Sequence, residues 1–340
     1  MIKIYDLNNK LLKIIDVCKN LCIISDLEKG TQSLSFSLPK TRENMNLAVE
    51  EYYVETSDYR YVIKEVNYDD SDFIEIYCTA DTEELNRLLT VFDAFDINIE
   101  TCCKKILSQI SSSWSVSFKS SNNSVVEYKE QFLRASEALD KVKEDYNLEM
   151  FYDTRNKVVE VYDQRGSSRG LFMMDGVNAT KLIREGQTYD FCTVVYPIGK
   201  DGLTIADINN GKDFIENYEY CNKYIPYFLK LDDIETKEQL KFEAEMYLEK
   251  HCKPIVSYEV GLNKLPEGIE IGDSLLIIDS IRKTRDRQRV VKITHYPFTP
   301  EKDSVEFSNR LVSLERLILE MQKDTKKQVE YVKNNLQELK

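Results

Sequence analysis

The stretch FCTVVYPIGKDGLTIADINNGKDFIEN, residues 191–217, decides how this chain is read. Val194, Val195 and Tyr196 make a β-type run that meets Pro197, a residue unable to donate to a central ladder. Lys200-Asp201-Gly202 and Asn209-Asn210-Gly211 then bracket a second short run, 203–208. Asp-Gly and Asn-Gly supply positive φ at tight turns, so a hairpin with two sharp corners is expected. This gives a scaffold and no chemistry.

Downstream, Thr236-Lys237-Glu238-Gln239 fits a capping box. It opens a helix with Leu240, Ala244, Tyr247 and Leu248 inward, ending before Pro254. Strands follow to about residue 309. The one basic cluster, RKTRDRQR at 282–289, reads as a solvated hairpin tip between strands 275–281 and 290–295, or as a contact to an acidic neighbouring subunit. Beyond it, Leu311, Leu314, Ile318, Met321 and Thr325 step by three and four as a heptad seam. The phase then slips to Val329, Val332, Leu336 and Leu339, as a stutter would make it do. Two readings stand for 311–340: a coiled coil or linker to a further module, and a helix packed on its own domain.

Upstream, 1–98 reads as many short strands, the clearest being Ser33-Leu34-Ser35-Phe36-Ser37-Leu38 with its strict period of two. Their close spacing is expected to give a sandwich or small barrel. Thr82 is read as starting a short helix with Leu85, Leu88 and Leu89. Between 99 and 170 the period changes. Thr101 is expected to cap a helix carrying Cys103, Ile106, Leu107 and Ile110 on one face. Residues 114–118 alternate as a strand. A second helix within 129–147 aligns Phe132, Ala135, Leu139, Val142 and Tyr146. A hairpin then turns about Asp153-Thr154-Arg155-Asn156.

The 340 residues exceed one ordinary domain, so two or three are expected. A net charge of −13 excludes a duplex-binding footprint, yet suits a passage through which DNA slides without sticking. The 21 tyrosines fit half-buried strand faces and subunit contacts. No signal-type or membrane-spanning run of apolar residues is present, and eight cysteines are expected to remain free thiols in a reducing cytoplasm.

Catalytic chemistry is weakly encoded. Only His251 and His295 are available to pair with a nucleophile such as Cys192 or Cys221, and neither has a recognisable partner in sequence. Cys18 and Cys22 have no second pair for zinc. Asp201, Asp207 and Asn209 lack the order of an EF-hand. Gly166-Ser167-Ser168-Arg169-Gly170 reads first as a hairpin turn, not a phosphate cradle. No catalytic, metal or cofactor residue is assigned, and no cofactor is expected.

YPIGKDGLTI (196–205) and INNGKDFIEN (208–217), with KPIVSYEV (253–260), GDSLLIIDS (272–280) and RVVKITHYPFTPEKDSVEFSN (289–309), resemble the phage tail-associated, or prophage endopeptidase tail, family of minor structural proteins. Members are similar to the central hub of tailed-phage baseplates. The resemblance implies a mainly β fold with α+β parts: two β-barrel-like domains, smaller α/β domains and a C-terminal helix. On this chain that gives an N-terminal barrel-like domain at 1–98 and an α+β domain at 99–170. A second barrel-like domain follows at 171–310, with a helical insertion about 212–253, and then the helix at 311–340.

It further implies a ring-shaped homotrimer that continues the tail tube and gates passage of DNA and the tape-measure protein. Expected partners are further copies of itself, the distal tail protein, tail-tube components, the tape-measure protein and DNA bound without specificity, with no stable membrane insertion. The expected location is the virion tail, and the host bacterial cytoplasm during assembly. The seam positions Leu314, Ile318, Met321, Val329, Val332 and Leu336 are the candidate oligomer interface. Some relatives carry a cell-wall hydrolase beyond the hub, and no residues here are expected to supply one. The alternatives are a tail-associated cell-wall hydrolase with an unrecognised site, and a monomeric carbohydrate-binding or adaptor module acting through exposed aromatics.

Overall fold

The computed structural model describes residues 1–68, 72–110 and 112–309, and the chain is mainly β. The C-terminal seam positions lie outside the described residues. Two compact units form: Met1–Ile183 together with the return segment from Tyr258 onward, and 184–257.

The first unit begins with β1 (Ile2–Tyr5), β2 (Leu11–Ile15), β3 (Lys19–Asp26) and β4 (Thr31–Pro39). A short helix α1 (Arg42–Leu47) leads to β5 (Tyr53–Glu55), β6 (Arg60–Asn67) and β7 (Phe73–Ala80). The period-two patterns place Leu34, Phe36, Leu38, Ile74, Ile76 and Cys78 inward, on antiparallel neighbours β4 and β7.

An α+β module follows. The expected helix after Thr82 is only a 3₁₀ turn, Glu83–Asn86, and Leu88 opens β8 (Leu88–Asn98) instead. Helix α2 (Ile99–Gln109) is capped by Asn98, whose side chain accepts from the Thr101 amide, so Thr101 lies inside the first turn. Strand β9 (Ser115–Phe118) precedes β10 (Val125–Arg134), and α3 (Ala135–Asp145) starts only after it. The single helix expected across 129–147 is therefore half strand. Phe132 is 70% exposed at positive φ, because β10 pairs with β8 and turns that ring out of the stripe. β11 (Glu149–Asp153) and β12 (Val158–Tyr162) form the expected hairpin, with β12 parallel to β9. Helices α2 and α3 bury Ile106, Leu107, Leu139 and Val142 with Phe92, Trp114 and Met150.

Residues 166–170 are not a hairpin turn. They lead into β13 (Ser168–Met174), which runs parallel to a strand much later in the chain. The chain passes through β14 (Lys181–Gln187) into the second unit. There β15 (Val194–Ile198) sits between β16 (Ile215–Glu216), antiparallel, and β17 (Pro226–Lys230), parallel. The run 203–208 does not pair as a strand. It holds a 3₁₀ turn, Ala206–Ile208, and buries Ile205 with Ile234 and Leu240. Helix α4 (Lys237–His251) buries Leu240, Ala244 and Leu248 as expected, but Thr236 makes no side-chain capping bond.

β18 (Ile255–Gly261), β19 (Ser274–Asp279), β20 (Thr284–His295) and β21 (Ser304–Ser308) complete the fold. Arg285, Arg287 and Arg289 belong to β20, so most of the basic cluster is strand and not tip. The register Lys292↔Asp26, Ile293↔Ser25, Thr294↔Ile24, His295↔Ile23 joins β20 to β3. The result is one thirteen-stranded sheet ordered β14-β18-β21-β20-β3-β4-β7-β6-β5-β1-β2, with β19 on β20 and β13 on β19.

Candidate functional site

Both histidines are held by their own neighbourhoods. His251 Nδ1 lies 2.7 Å from the Tyr247 carbonyl, its Nε2 faces Asp190 at 3.4 Å, and its ring stacks on Tyr247 with centroids 3.8 Å apart. With both nitrogens engaged, the ring is not placed to take a thiol proton from Cys192. His295 Nδ1 faces the fully buried Asp303 at 3.1 Å, and Asp303 also accepts the Tyr296 amide at 2.6 Å. That carboxylate organises a turn between β20 and β21.

All eight cysteines are free thiols, and seven are buried. Burial pushes the Cys102 and Cys103 thiols up to about 12 and raises Cys22 as well, so these are poor nucleophiles. Cys18 and Cys22 gather no partners for zinc: among the described residues no group of three His, Cys, Asp or Glu is placed to hold a metal ion. Asp207 pairs with Lys237, and the Asn209 amide donates to the carbonyls of Lys212 and Phe214 within its own loop. No helix among the described residues is long and apolar enough to cross a membrane.

Two cavities stand out. One, of about 560 Å³ in the first unit, lies where the N-terminal strands meet the α+β module. Its lining alternates cations and carboxylates: Arg60 binds Asp81 at 2.8 Å, Arg155 faces Glu55 at 3.7 Å, and Lys157 binds Glu84. Partial burial alone would raise the Glu84 carboxyl, but hydrogen bonds from Lys157 and from the Ser113 amide and hydroxyl hold it down at about 2. A carboxyl so acidic is ionised at neutral pH and is unsuited to donating a proton in glycoside hydrolysis. The ion pairs that line this cavity tie the N-terminal strands to the α+β module.

Because the folded-state value lies below the ordinary 4.5, this contribution is present at neutral pH and is lost as pH falls toward 2. Glu84→Gln is expected to lower stability at pH 7 by on the order of 1 kcal/mol after solvent screening, with the difference vanishing near the folded-state value. Urea melts at pH 7 and pH 2.5 measure it. An equal penalty at both would show that charge is not the cause.

The second cavity, about 570 Å³ in the 184–257 unit, runs between α4 and the loop 209–219. Sequence reasoning missed it. It took the Asn and Gly residues of this loop as turn formers, which they are, and the polar side of α4 carries no motif.

No curated protein matches the chain. Solved structures do. A prophage tail protein, gp18, from Listeria monocytogenes EGD-e aligns over 96% of this chain and 99% of its own, at TM-score 0.67 and 15% identity. The 43 kDa tail protein of prophage MuSo2 from Shewanella oneidensis aligns over 90% and 97%, at TM-score 0.66 and 11% identity. The E. coli protein c3393, a type VI secretion component described as structurally similar to the T4 tail proteins gp27 and gp5, aligns over 91% and 76%, at TM-score 0.51 and 12% identity. At such identities the likeness is one of fold. Two family models also match in sequence: the prophage endopeptidase tail N-terminal domain over residues 2–80, and the prophage endopeptidase tail over 168–318. Together they take in more than half of the chain, which therefore belongs to the prophage endopeptidase tail family.

Proposed function

We propose that this prophage tail protein is the hub of the tail tip, a structural component that assembles as a ring-shaped homotrimer, continues the tail tube and gates passage of DNA and the tape-measure protein. The observation that carries this reading is the continuous sheet built from both ends of the described chain through β3 and β20. A sheet of thirteen strands suits a tube segment, and the net charge of −13 suits a lumen that must not retain DNA. The likeness to tail proteins and to a protein described as similar to gp27 and gp5 supports it at the level of fold.

In this reading 1–98, 99–170 and 171–310 act as the successive domains of each protomer. Leu314, Ile318, Met321, Val329, Val332 and Leu336 contribute to the contact between copies. The partners are the distal tail protein, tube components and the tape-measure protein. The site of action is the virion tail, with assembly in the host cytoplasm. The role is non-enzymatic in this reading, which the paired carboxylates of the first cavity and the engaged histidines support.

Electron microscopy of virions labelled with an antibody to this chain tests it, with label expected at the tail tip. Label along the tail shaft, or on the capsid, would overturn the reading. Incubating the purified chain with cell walls separates the hydrolase alternative: release of soluble peptide or sugar fragments would favour that rival.

A further inference from the structure

One face of the three-stranded sheet of the 184–257 unit is covered by α4. There α4 packs Ala244, Leu248 and Cys252 against Cys192 and Val195. The opposite face carries a row of rings. Tyr196 and Phe228 are register neighbours on β15 and β17, with centroids 5.3 Å apart and planes 29° apart. Phe214 adjoins Tyr196 at 5.3 Å, and the Tyr196 and Tyr224 hydroxyls meet at 2.9 Å. Phe228 is 65% exposed and Tyr224 59%. Apolar rings held side by side at a protein surface mark a contact surface.

Phe214, whose ring has the Lys212 ammonium over it at 5.3 Å, also lines the 570 Å³ groove, so the ring row and the groove share that residue. The rest of the groove is unlike a protein-docking cleft. It presents planar amides and carboxylates, among them Asn210, Asn217, Glu245 and Glu249. Three of the groove's glutamates are paired with lysines, Glu216 with Lys212 at 2.9 Å, Glu219 with Lys253 at 3.6 Å and Glu245 with Lys241 at 3.9 Å. Four glutamates against three lysines leave the groove with its ion pairs slightly acidic.

Two requirements identify the ligand. It must offer a flat C–H face to aromatic rings, and it must bring many hydroxyl donors and acceptors to planar polar side chains. It must also lack negative charge, which the acidic lining would repel. We propose that this face and groove bind a neutral or amino-bearing oligosaccharide. Each ring-to-ring step is 5.3 Å, and the groove falls within the usual range for small ligands, so a short oligosaccharide is accommodated.

The test uses the full chain and isothermal titration with three probes: cellotriose, the N-acetylglucosamine trimer and the glucosamine trimer. A glycerol-phosphate polymer serves as the anionic arm. Saturable binding by at least one trimer is expected. Phe228→Ala should weaken it about tenfold or more, as loss of a central aromatic contact does. Glu249→Gln should weaken the glucosamine trimer most. Phe172→Ala, an exposed ring in the first unit, should change nothing.

Absence of saturation by every trimer up to about 10 mM, a range in which even weak binding registers, would overturn the proposal. So would binding indifferent to Phe228→Ala, or preference for the phosphate polymer. Self-association abolished by Phe228→Asp, without any sugar response, would instead assign the face to a protein contact and overturn it equally. The outcome is independent of tail-tip labelling, so failure here leaves the hub reading intact.

Discussion

Gly30→Ala is expected to cost the first unit about 4 kcal/mol, a drop of roughly 10 °C in its thermal midpoint. Gly30 sits at φ +64° in the turn between β3 and β4, and an added Cβ would lie 1.9 Å from the Met150 carbonyl oxygen. The obstacle is backbone, so no side-chain rotation relieves it. The same turn accepts the Tyr152 amide at 2.8 Å, and nearby Tyr59 donates its hydroxyl to the Tyr152 carbonyl. The Thr154 hydroxyl also both accepts from the Arg60 amide and donates to the Arg60 carbonyl. Substitution therefore pushes the α+β module off the strands it docks on. Gly176→Ala is the control: it shares a positive φ of +74° but has nothing within 4 Å of the new atom. Its cost should be only the roughly 1 kcal/mol of left-handed backbone strain. Equal losses in the two variants would sink the argument from close approach.

Arg289→Ala is expected to cost about 3 kcal/mol, because it strands a carboxylate removed from water. Arg289 on β20 makes a two-pronged contact with Glu149 on β11, at 2.7 and 3.0 Å, and donates to the Arg165 carbonyl at 2.8 Å. The two side chains are only 17% and 12% exposed. The Arg165 amide gives Glu149 a further bond at 2.7 Å, but one backbone donor does not neutralise the charge. Arg289→Lys should recover only part of the loss, since an ammonium cannot reproduce the fork. Glu149→Leu combined with Arg289→Met should cost less than Arg289→Ala alone. Chemical denaturation of the four proteins measures each difference. A double variant that costs as much as Arg289→Ala or more would contradict this account.

Local patterns were legible where one face of an element meets the core. The alternation in β4 and β7, the hairpin of β11 and β12, and the inward stripe of α4 follow from side-chain period alone. Boundaries failed where two elements share one apolar rhythm. Phe132 fitted the helical stripe of α3, yet the register of β10 with β8 claimed the residues up to Arg134. Asn98 took the capping role expected of Thr101 because β8 delivers the chain to that point already extended. Residues 203–208 looked like a strand by composition, but short turns on both sides left them no partner, and burial of Ile205 fixed a turn instead.

Arg289 shows the same limit among charged residues. A basic run reads as solvated until a carboxylate some 140 positions away is brought beside it. The ring row of the 184–257 unit was invisible for a related reason: Tyr196 and Phe228 come from two strands and Phe214 from the loop before β16, and only the fold brings them together.

By itself the sequence determined the mainly β character, the free-thiol chemistry, the acidic surface and the family, since each depends on composition, local period or a collinear string of residues. Only the tertiary structure decided that β3 and β20 share one sheet, that Gly30 admits no side chain, and that Tyr196, Phe214 and Phe228 come side by side. Backbone pairing carries no side-chain signature at a distance, so which strand edges meet is settled by the packing of the whole chain.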